Sequence, residues 1–283
     1  MALATMKDML KEARKKGYAV GAFEFWSYDS ARVIVKAAEQ RNMPVILQVG
    51  HFERDYMDGY RNAYRIANMA ADLVHVPVAL HLDHAEEYGE VLTALEAGFT
   101  SVMIDASAKP FEENVYLTKE VVKTASCYGA SVEAELGQLL GNEGNVSSDA
   151  SALTDPDSAA EFVEKTGIDA LAVAIGTAHG FYKSEPHIDI ERLEKIAAKV
   201  DIPLVLHGGS GTPREAVSQA IKRGISKVNI CTEFIEAFGK GYVKAQEDKN
   251  FTYNVETLFL NASVRAQKLV LDKLDLFYPD NMK

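Results

Sequence analysis

The feature that most constrains this chain is a repeat. Eight apolar, β-branched runs of strand length alternate with helical patterns. The runs fall at residues 18–25, 44–50, 76–83, 101–107, 131–137, 170–176, 203–209 and 227–232. Near-continuous apolarity of this kind is what parallel strands need when both faces of the sheet are covered. Helix-period stretches lie between them at 30–41, 60–74, 86–97, 111–128, 156–166, 189–200 and 213–223. Gly98, Gly129, Gly167 and Gly224 follow four of these stretches, where a left-handed C-cap forms. Thr212 before Pro213 reads as an N-cap hydroxyl with proline at the first helical position. Eight such units predict an α/β fold, a (β/α)8 TIM barrel, with a doubly wound open sheet as the rival. One more helical pattern, near 255–276, exceeds what a barrel needs. Residues 1–283 therefore read as a single barrel domain, with 251–283 as a C-terminal helical extension.

Composition narrows the function classes. With 47% hydrophobic and 25% charged residues, disorder and low-complexity fibres are excluded. No apolar run approaches the roughly 20 residues that span a bilayer. The stretch from Met1 to Lys7 lacks the apolar core of a secretory signal. Two cysteines cannot form a disulfide framework, so a cytoplasmic location is expected. A net charge of −11 argues against nucleic acid and anionic membranes as partners. A small anionic substrate remains compatible, because a metal and backbone N–H groups can hold it.

Polar residues gather at the strand ends, which in a barrel converge on one mouth. The third strand ends in His81, Asp83 and His84, the fourth in Asp105, and the fifth carries Glu133 and Glu135. His179 and His207 end the sixth and seventh. Three histidines from three strands match the catalytic pattern of three protein ligands and an open position. The bland alternative is three separate histidines satisfied by backbone. His81 alternates with Asp83 and reads as a supporting or core residue, His51 lies near the mouth without a role, and His75 and His187 read as loop residues. The run from Gly208 to Pro213 is a glycine-rich turn into a helix, which favours an anion, and the turn after the eighth strand lies beside it. Residues 138–155 form a long polar connection on the mouth side, a placement typical of functional loops.

Together these segments resemble the class II, zinc-dependent ketose-bisphosphate aldolases, a family that includes fructose-bisphosphate and tagatose-bisphosphate aldolases. The matching stretches are Gly21-Ala-Phe, His81-Leu-Asp-His, Ser101-Val-Met-Ile-Asp, Ser131-Val-Glu-Ala-Glu-Leu-Gly, Gly176-Thr-Ala-His-Gly-Phe-Tyr-Lys, Leu206-His-Gly-Gly-Ser-Gly and Lys227-Val-Asn-Ile. The resemblance implies that His84, His179 and His207 ligate Zn2+, with Asp105 and Glu135 at an alternative metal position or behind the ligands. It implies that Asp83 is the acid/base at the hydroxyl beside the cleaved bond, and that Glu143 in the long loop moves the proton on the donor carbon. Gly180, Lys183, Gly208, Gly209, Ser210, Asn229 and Thr232 resemble the pocket for the donor's phosphate, beside which the family often places a monovalent cation, Na+ or K+. A sugar phosphate substrate and a homodimer or homotetramer are implied with it. The chemistry agrees: retro-aldol cleavage leaves electrons beside a ketone, which a Lewis acid stabilises, while one group takes the hydroxyl proton and another returns a proton to carbon.

The departures fall on the acceptor side. Where the family commonly has asparagines after Gly-Ala-Phe, this chain has Glu24, with Trp26 beside it. Gly50, followed by His51, stands where serine is common, and Cys231 follows Asn229-Ile. No arginine aligns for a far-end phosphate, and Arg265 qualifies only by its chemistry. The leading expectation is a zinc-dependent aldolase cleaving or forming a ketose 1-phosphate or ketose bisphosphate, yielding dihydroxyacetone phosphate and an aldehyde, with a rewritten acceptor pocket. A metal-dependent sugar-phosphate isomerase or epimerase, and a non-catalytic sugar-phosphate-binding protein, are the alternatives.

Overall fold

The computed structural model describes residues 3–137, 153–180, 186–248 and 251–278. Eight strands close into a barrel in sequence order: β1 (Val20–Glu24), β2 (Val45–Val49), β3 (Val78–Ala85), β4 (Ser101–Ile104), β5 (Ser131–Leu136), β6 (Ala170–Val173), β7 (Leu204–Leu206) and β8 (Ile225–Ile230). All eight pairings are parallel, and β8 returns to β1. The closed sheet leaves no edge, and the open-sheet rival is set aside. The expected strands are all present; six are shorter than their runs, whereas β3 keeps its length two residues later and β8 keeps its length two residues earlier.

The helices are α1 (Met6–Lys16), α2 (Tyr28–Arg41), α3 (His51–Tyr56), α4 (Tyr60–Ala71), α5 (Tyr88–Ala97), α6 (Phe111–Tyr128), α7 (Pro156–Thr166), α8 (Ile190–Lys199), α9 (Arg214–Ile221), α10 (Thr232–Gln246) and α11 (Asn261–Phe277). Gly98, Gly129 and Gly167 are left-handed C-caps as expected. Gly224 is not: α9 ends at Ile221 with Lys222 as its cap. Thr212 is also displaced from its expected role, since Pro213 is the N-cap of α9 and the Thr212 hydroxyl donates to the Gly208 carbonyl at 2.9 Å.

Three helices stand where none was expected. On α1, Met6, Met9, Leu10 and Ala13 face one side at i, i+3, i+4 and i+7. They bury against Ala22, Ile46, Ala79, Ala170, Ala172 and Val205, the small inward residues of the barrel floor. α3 is a short turn directly after β2. α10 contains Gly239 and Gly241, and the second glycine explains itself: a Cβ there would lie 2.6 Å from the Ala262 carbonyl of α11. The C-terminal helix α11 is present, entered through a π-helical turn at Val255–Leu260. It packs against β1 and against α2, α9 and α10. Phe277 at its end is fully buried over Gly21, and Arg41 of α2 makes a two-pronged ion pair with Asp275 at 2.7 and 2.8 Å.

Candidate active site

Strand alternation builds the site. On β5, Ser131, Glu133 and Glu135 share one face, and on β8 Lys227 and Asn229 do so. Across β1, β2, β3 and β4 the register sets Glu24 beside Gln48, Gln48 beside His81, and His81 beside Ser101. Polar residues therefore form a layer above the small apolar floor. Strict alternation would send Asp83 and His84 to opposite sides of β3. Instead the β3–β4 register breaks between Leu82 and Ala85, and His84 takes the left-handed conformation at φ 48°. Both side chains thus reach the mouth, through backbone strain of the kind functional sites store.

His84, His179 and His207 come together, with one ligand nitrogen of each within 4.8 Å of the others. His84 donates from Nδ1 to Asp105 Oδ2 at 2.8 Å, and His207 donates from Nε2 to Glu133 Oε1 at 2.8 Å. A carboxylate thus fixes one nitrogen of each ring and turns the other inward, as metal-binding histidines are commonly held. The inward nitrogens, His84 Nε2 and His207 Nδ1, lie 2.7 Å apart. Two lone pairs cannot face each other at that distance, so the contact calls for a proton or a cation.

The surrounding charge says the same. Burial pulls the His84 imidazolium down, but Asp83 and Asp105 override it and hold it well above the ordinary imidazole value. Burial, then the charges of His84 and His207, push His179 down to about 3. Burial and the neighbouring Asp105 push the Glu135 carboxyl well up, and its Oε2 is a buried acceptor without a hydrogen-bond partner. That atom lies 3.9 Å from His207 Nδ1. His84, Asp105 and Glu135 form a second ligand-competent group around the same centre. The donor set of imidazoles and carboxylates, with this orphaned oxygen, fits a divalent cation such as zinc.

Asp83 is buried beside this centre. It accepts from Gln48 Nε2 at 3.1 Å and from Asn229 Nδ2 at 3.3 and 3.4 Å. Burial works to raise its carboxyl, but the His84 charge, the His81 contact and Lys227 outweigh burial and hold it well below the usual carboxylate range. Asp83 is thus kept as an oriented base.

The residues expected to form a phosphate pocket divide. Gly208 has φ 66° and a backbone carbonyl 2.3 Å from where a Cβ would lie, so only glycine fits. The Gly209 N–H is spent on the Asn229 carbonyl at 3.1 Å, which ties the loops after β7 and β8 together. The Asn229 side chain serves Asp83 rather than that loop. The Ser210 hydroxyl accepts the N–H groups of Cys231 and Glu233 at 3.3 Å each. Thr232 is the first residue of α10 and Cys231 its N-cap. Gly180, at φ 83°, follows His179. Lys183 and Glu143 lie outside the described residues.

On the acceptor side, Glu24 is buried and accepts from Gln48 Nε2 at 3.1 Å and from the Gly50 N–H at 3.2 Å. Gln48 therefore bridges Glu24 and Asp83. Trp26 packs on Phe234 and Phe238, with centroids 5.5 and 5.3 Å away, which makes it a packing residue. His51 opens α3, exposed, with its ring tilted against Phe52 at a centroid distance of 4.0 Å. Arg265 lines an outer groove of about 560 Å³ between α10 and α11, with Lys244 and Lys268, none of them part of the site.

Two supporting residues went unassigned in the sequence. Glu133 is fully buried and accepts from Lys227 Nζ at 2.9 Å as well as from His207. Burial raises Glu133, but Lys227 and then His207 bring it to about 2. His81 sits beneath, sharing a hydrogen bond with Ser101 Oγ at 2.7 Å, its Nε2 3.7 Å from both Asp83 and Glu133. The two-residue spacing of Glu133 and Glu135, and of Lys227 and Asn229, was the available signal.

Comparison with known proteins follows the same line. A family model described as fructose-bisphosphate aldolase class-II matches residues 4–282. A fructose-bisphosphate aldolase of Staphylococcus aureus (strain Mu50) is 46% identical over 238 residues, covering 82% of each chain. One from Geobacillus stearothermophilus is 46% identical over 245 residues, covering 85% of this chain and 84% of its own. Among solved structures, the crystal structure of the YdjI aldolase from Escherichia coli K12 superposes with a TM-score of 0.87 at 35% identity, covering 99% of both chains.

Proposed function

The chain belongs to the class II fructose-bisphosphate aldolase family, and from that premise we propose that it is a zinc-dependent aldolase acting on a ketose 1-phosphate, whose far end is not a phosphate. As a member of that family it is a carbon–carbon lyase of metal-dependent type with a sugar phosphate substrate, and neither an isomerase nor a silent binding protein is favoured. The observation that carries the zinc reading is the convergence of His84, His179 and His207, two of them oriented by carboxylates. Bound there, zinc supplies Lewis-acid stabilisation of the charge that develops beside the donor ketone.

The chain's own residues do the rest. Asp83, held ionised and oriented by Gln48 and Asn229, takes the proton from the hydroxyl next to the breaking bond and returns it in the condensation direction. Glu143 exchanges the proton on the donor carbon, a role that rests on the family resemblance alone. Asp105 and Glu133 hold His84 and His207 in orientation, and Glu135 offers a further carboxylate to the cation. The loop at 208–211, with Ser210 and the start of α10 at Thr232, takes the donor's phosphate, with Gly180 and Lys183 adjoining and a monovalent cation beside it. Ser210 accepts two N–H groups, which leaves its own proton for an anion.

Glu24 sets the acceptor preference. Its carboxylate faces the site one hydrogen bond away from the Gln48 amide that also holds Asp83. A second phosphate beside it would be repelled, whereas hydroxyls would be accepted. The protein is further proposed to act as a single barrel domain, cytoplasmic, and as a homodimer or homotetramer. The test is a condensation assay with dihydroxyacetone phosphate and a panel of aldehydes, read by product mass, together with cleavage kinetics on fructose 1,6-bisphosphate. Adducts with hydroxyaldehydes that exceed those with glyceraldehyde 3-phosphate are expected. Efficient turnover of the bisphosphate, with no preference for uncharged acceptors, contradicts the specificity reading.

A further inference from the structure

A side chain on the C-terminal helix is connected, through one carboxylate, to the loop proposed to take the donor's phosphate. Lys273 lies on α11, the last helix of the chain, yet only 8% of it is exposed. Its ammonium forms an ion pair with Oε2 of Glu233, in the first turn of α10. The other carboxylate oxygen, Oε1, accepts the N–H of Gly211 at 2.8 Å. The Ser210 hydroxyl meanwhile accepts the N–H of Glu233. The 208–211 loop and the start of α10 are thus stitched in both directions: hydroxyl of the loop to amide of the helix, carboxylate of the helix to amide of the loop.

The charge balance of this stitch matters. A helix N-terminus attracts anions, so Glu233 and a substrate phosphate favour the same field. A bare carboxylate bonded to the N–H of Gly211, next to Ser210, would oppose a phosphate there. Lys273 neutralises it and fixes its direction. The helix carrying Lys273 is itself held rigidly, by the Ala262 contact with Gly241, by the Arg41–Asp275 pair and by Phe277.

We infer that Lys273 is a positioning residue for donor binding: through Glu233 it sets the shape and charge of the 208–211 loop from outside the barrel. The inference rests on the reading that this loop takes the donor's phosphate. Lys273 touches neither substrate nor metal, so its effect falls on KM rather than on kcat.

The experiment compares wild type, Lys273→Met, Lys273→Arg, Glu233→Gln and Ser210→Ala as metal-loaded full chains. The readouts are KM and kcat for dihydroxyacetone phosphate in condensation, the competitive inhibition constant of inorganic phosphate, and bound zinc. Loss of one oriented, charge-assisted contact predicts a rise of about tenfold in both KM and the phosphate inhibition constant for Lys273→Met. Zinc content should stay unchanged and kcat should fall less than about twofold. Glu233→Gln keeps an acceptor for Gly211 and leaves no carboxylate to oppose the anion, so it should not raise either constant, and a rise there overturns the charge argument; Lys273→Arg should restore both constants. A role in packing alone would lower kcat and zinc together without rescue by arginine, and that result overturns the proposal, as do unchanged constants in Lys273→Met. If Lys273→Met does not fold, Lys273→Gln carries the test with the same outcomes. Ser210→Ala separates the two levels. If it leaves phosphate inhibition unchanged, the loop does not take phosphate and the inference falls with that reading. If it weakens inhibition while Lys273→Met does not, only the inference falls.

Discussion

Replacing Lys227 by methionine removes the cation from the pair at the centre of the barrel. Lys227 and Glu133 are both fully buried, and their 2.9 Å contact crosses between β8 and β5. The variant keeps the side-chain volume and leaves Glu133 with His207 and His81 as neighbours. Breaking a buried ion pair by removing one partner typically costs about 3–5 kcal/mol, because the remaining charge is uncompensated. Lys227 is the foremost charge holding Glu133 at about 2 against burial, so the carboxylate should take up a proton more readily in the variant. Glu133 then orients His207 less firmly, and loss of such a supporting contact lowers metal affinity about 10–100-fold. The assays are urea unfolding of metal-free protein and competitive zinc titration. The double variant Lys227→Met with Glu133→Gln removes both charges, so the stability loss should be much smaller than in Lys227→Met alone, a coupling that a double-mutant cycle reads directly. The reasoning is refuted if Lys227→Met is as stable as wild type, or if the double variant loses the sum of the single losses.

Three further outcomes follow from the same geometry. Asp83→Ala should keep its metal and lose about 10²–10⁴ in cleavage rate, measured as triose phosphate release beside zinc analysis. Glu24→Asn should raise kcat/KM for fructose 1,6-bisphosphate relative to ketose 1-monophosphates; an unchanged ratio would remove Glu24 from specificity. Phe277→Ala, which empties a fully buried position over Gly21, should cost about 3–5 kcal/mol in urea unfolding with little change in zinc affinity.

The barrel was legible because each strand is locally apolar and each helix carries its own period, so no long-range information was needed to count eight units. The strand ends were less so: Asp83 and His84 share the mouth only through the break in β3, which alternation alone does not foresee. The three candidate ligand histidines could be singled out because each lies at or just past the end of an apolar run. Glu133 and Lys227 could not be paired, because they sit on strands that are not neighbours and meet only once the barrel closes. On α1 the spacing of Met6, Met9, Leu10 and Ala13 carried a readable helical signal. On α10, Gly241, which lets α11 approach, and Gly239 together erase the helical signature. Glu233 and Lys273 lie forty residues apart in the chain, and nothing local marks them as partners.

The central claim is that His84, His179 and His207 hold the zinc on which aldol chemistry depends. The most direct measurement is zinc per chain by elemental analysis alongside cleavage activity, before chelation, after it, and after zinc is restored, in wild type and His179→Ala. About one zinc per chain is expected, with activity that disappears with the metal and returns with it, and little zinc in His179→Ala. Full turnover by metal-free protein, or normal zinc content in His179→Ala, would contradict it.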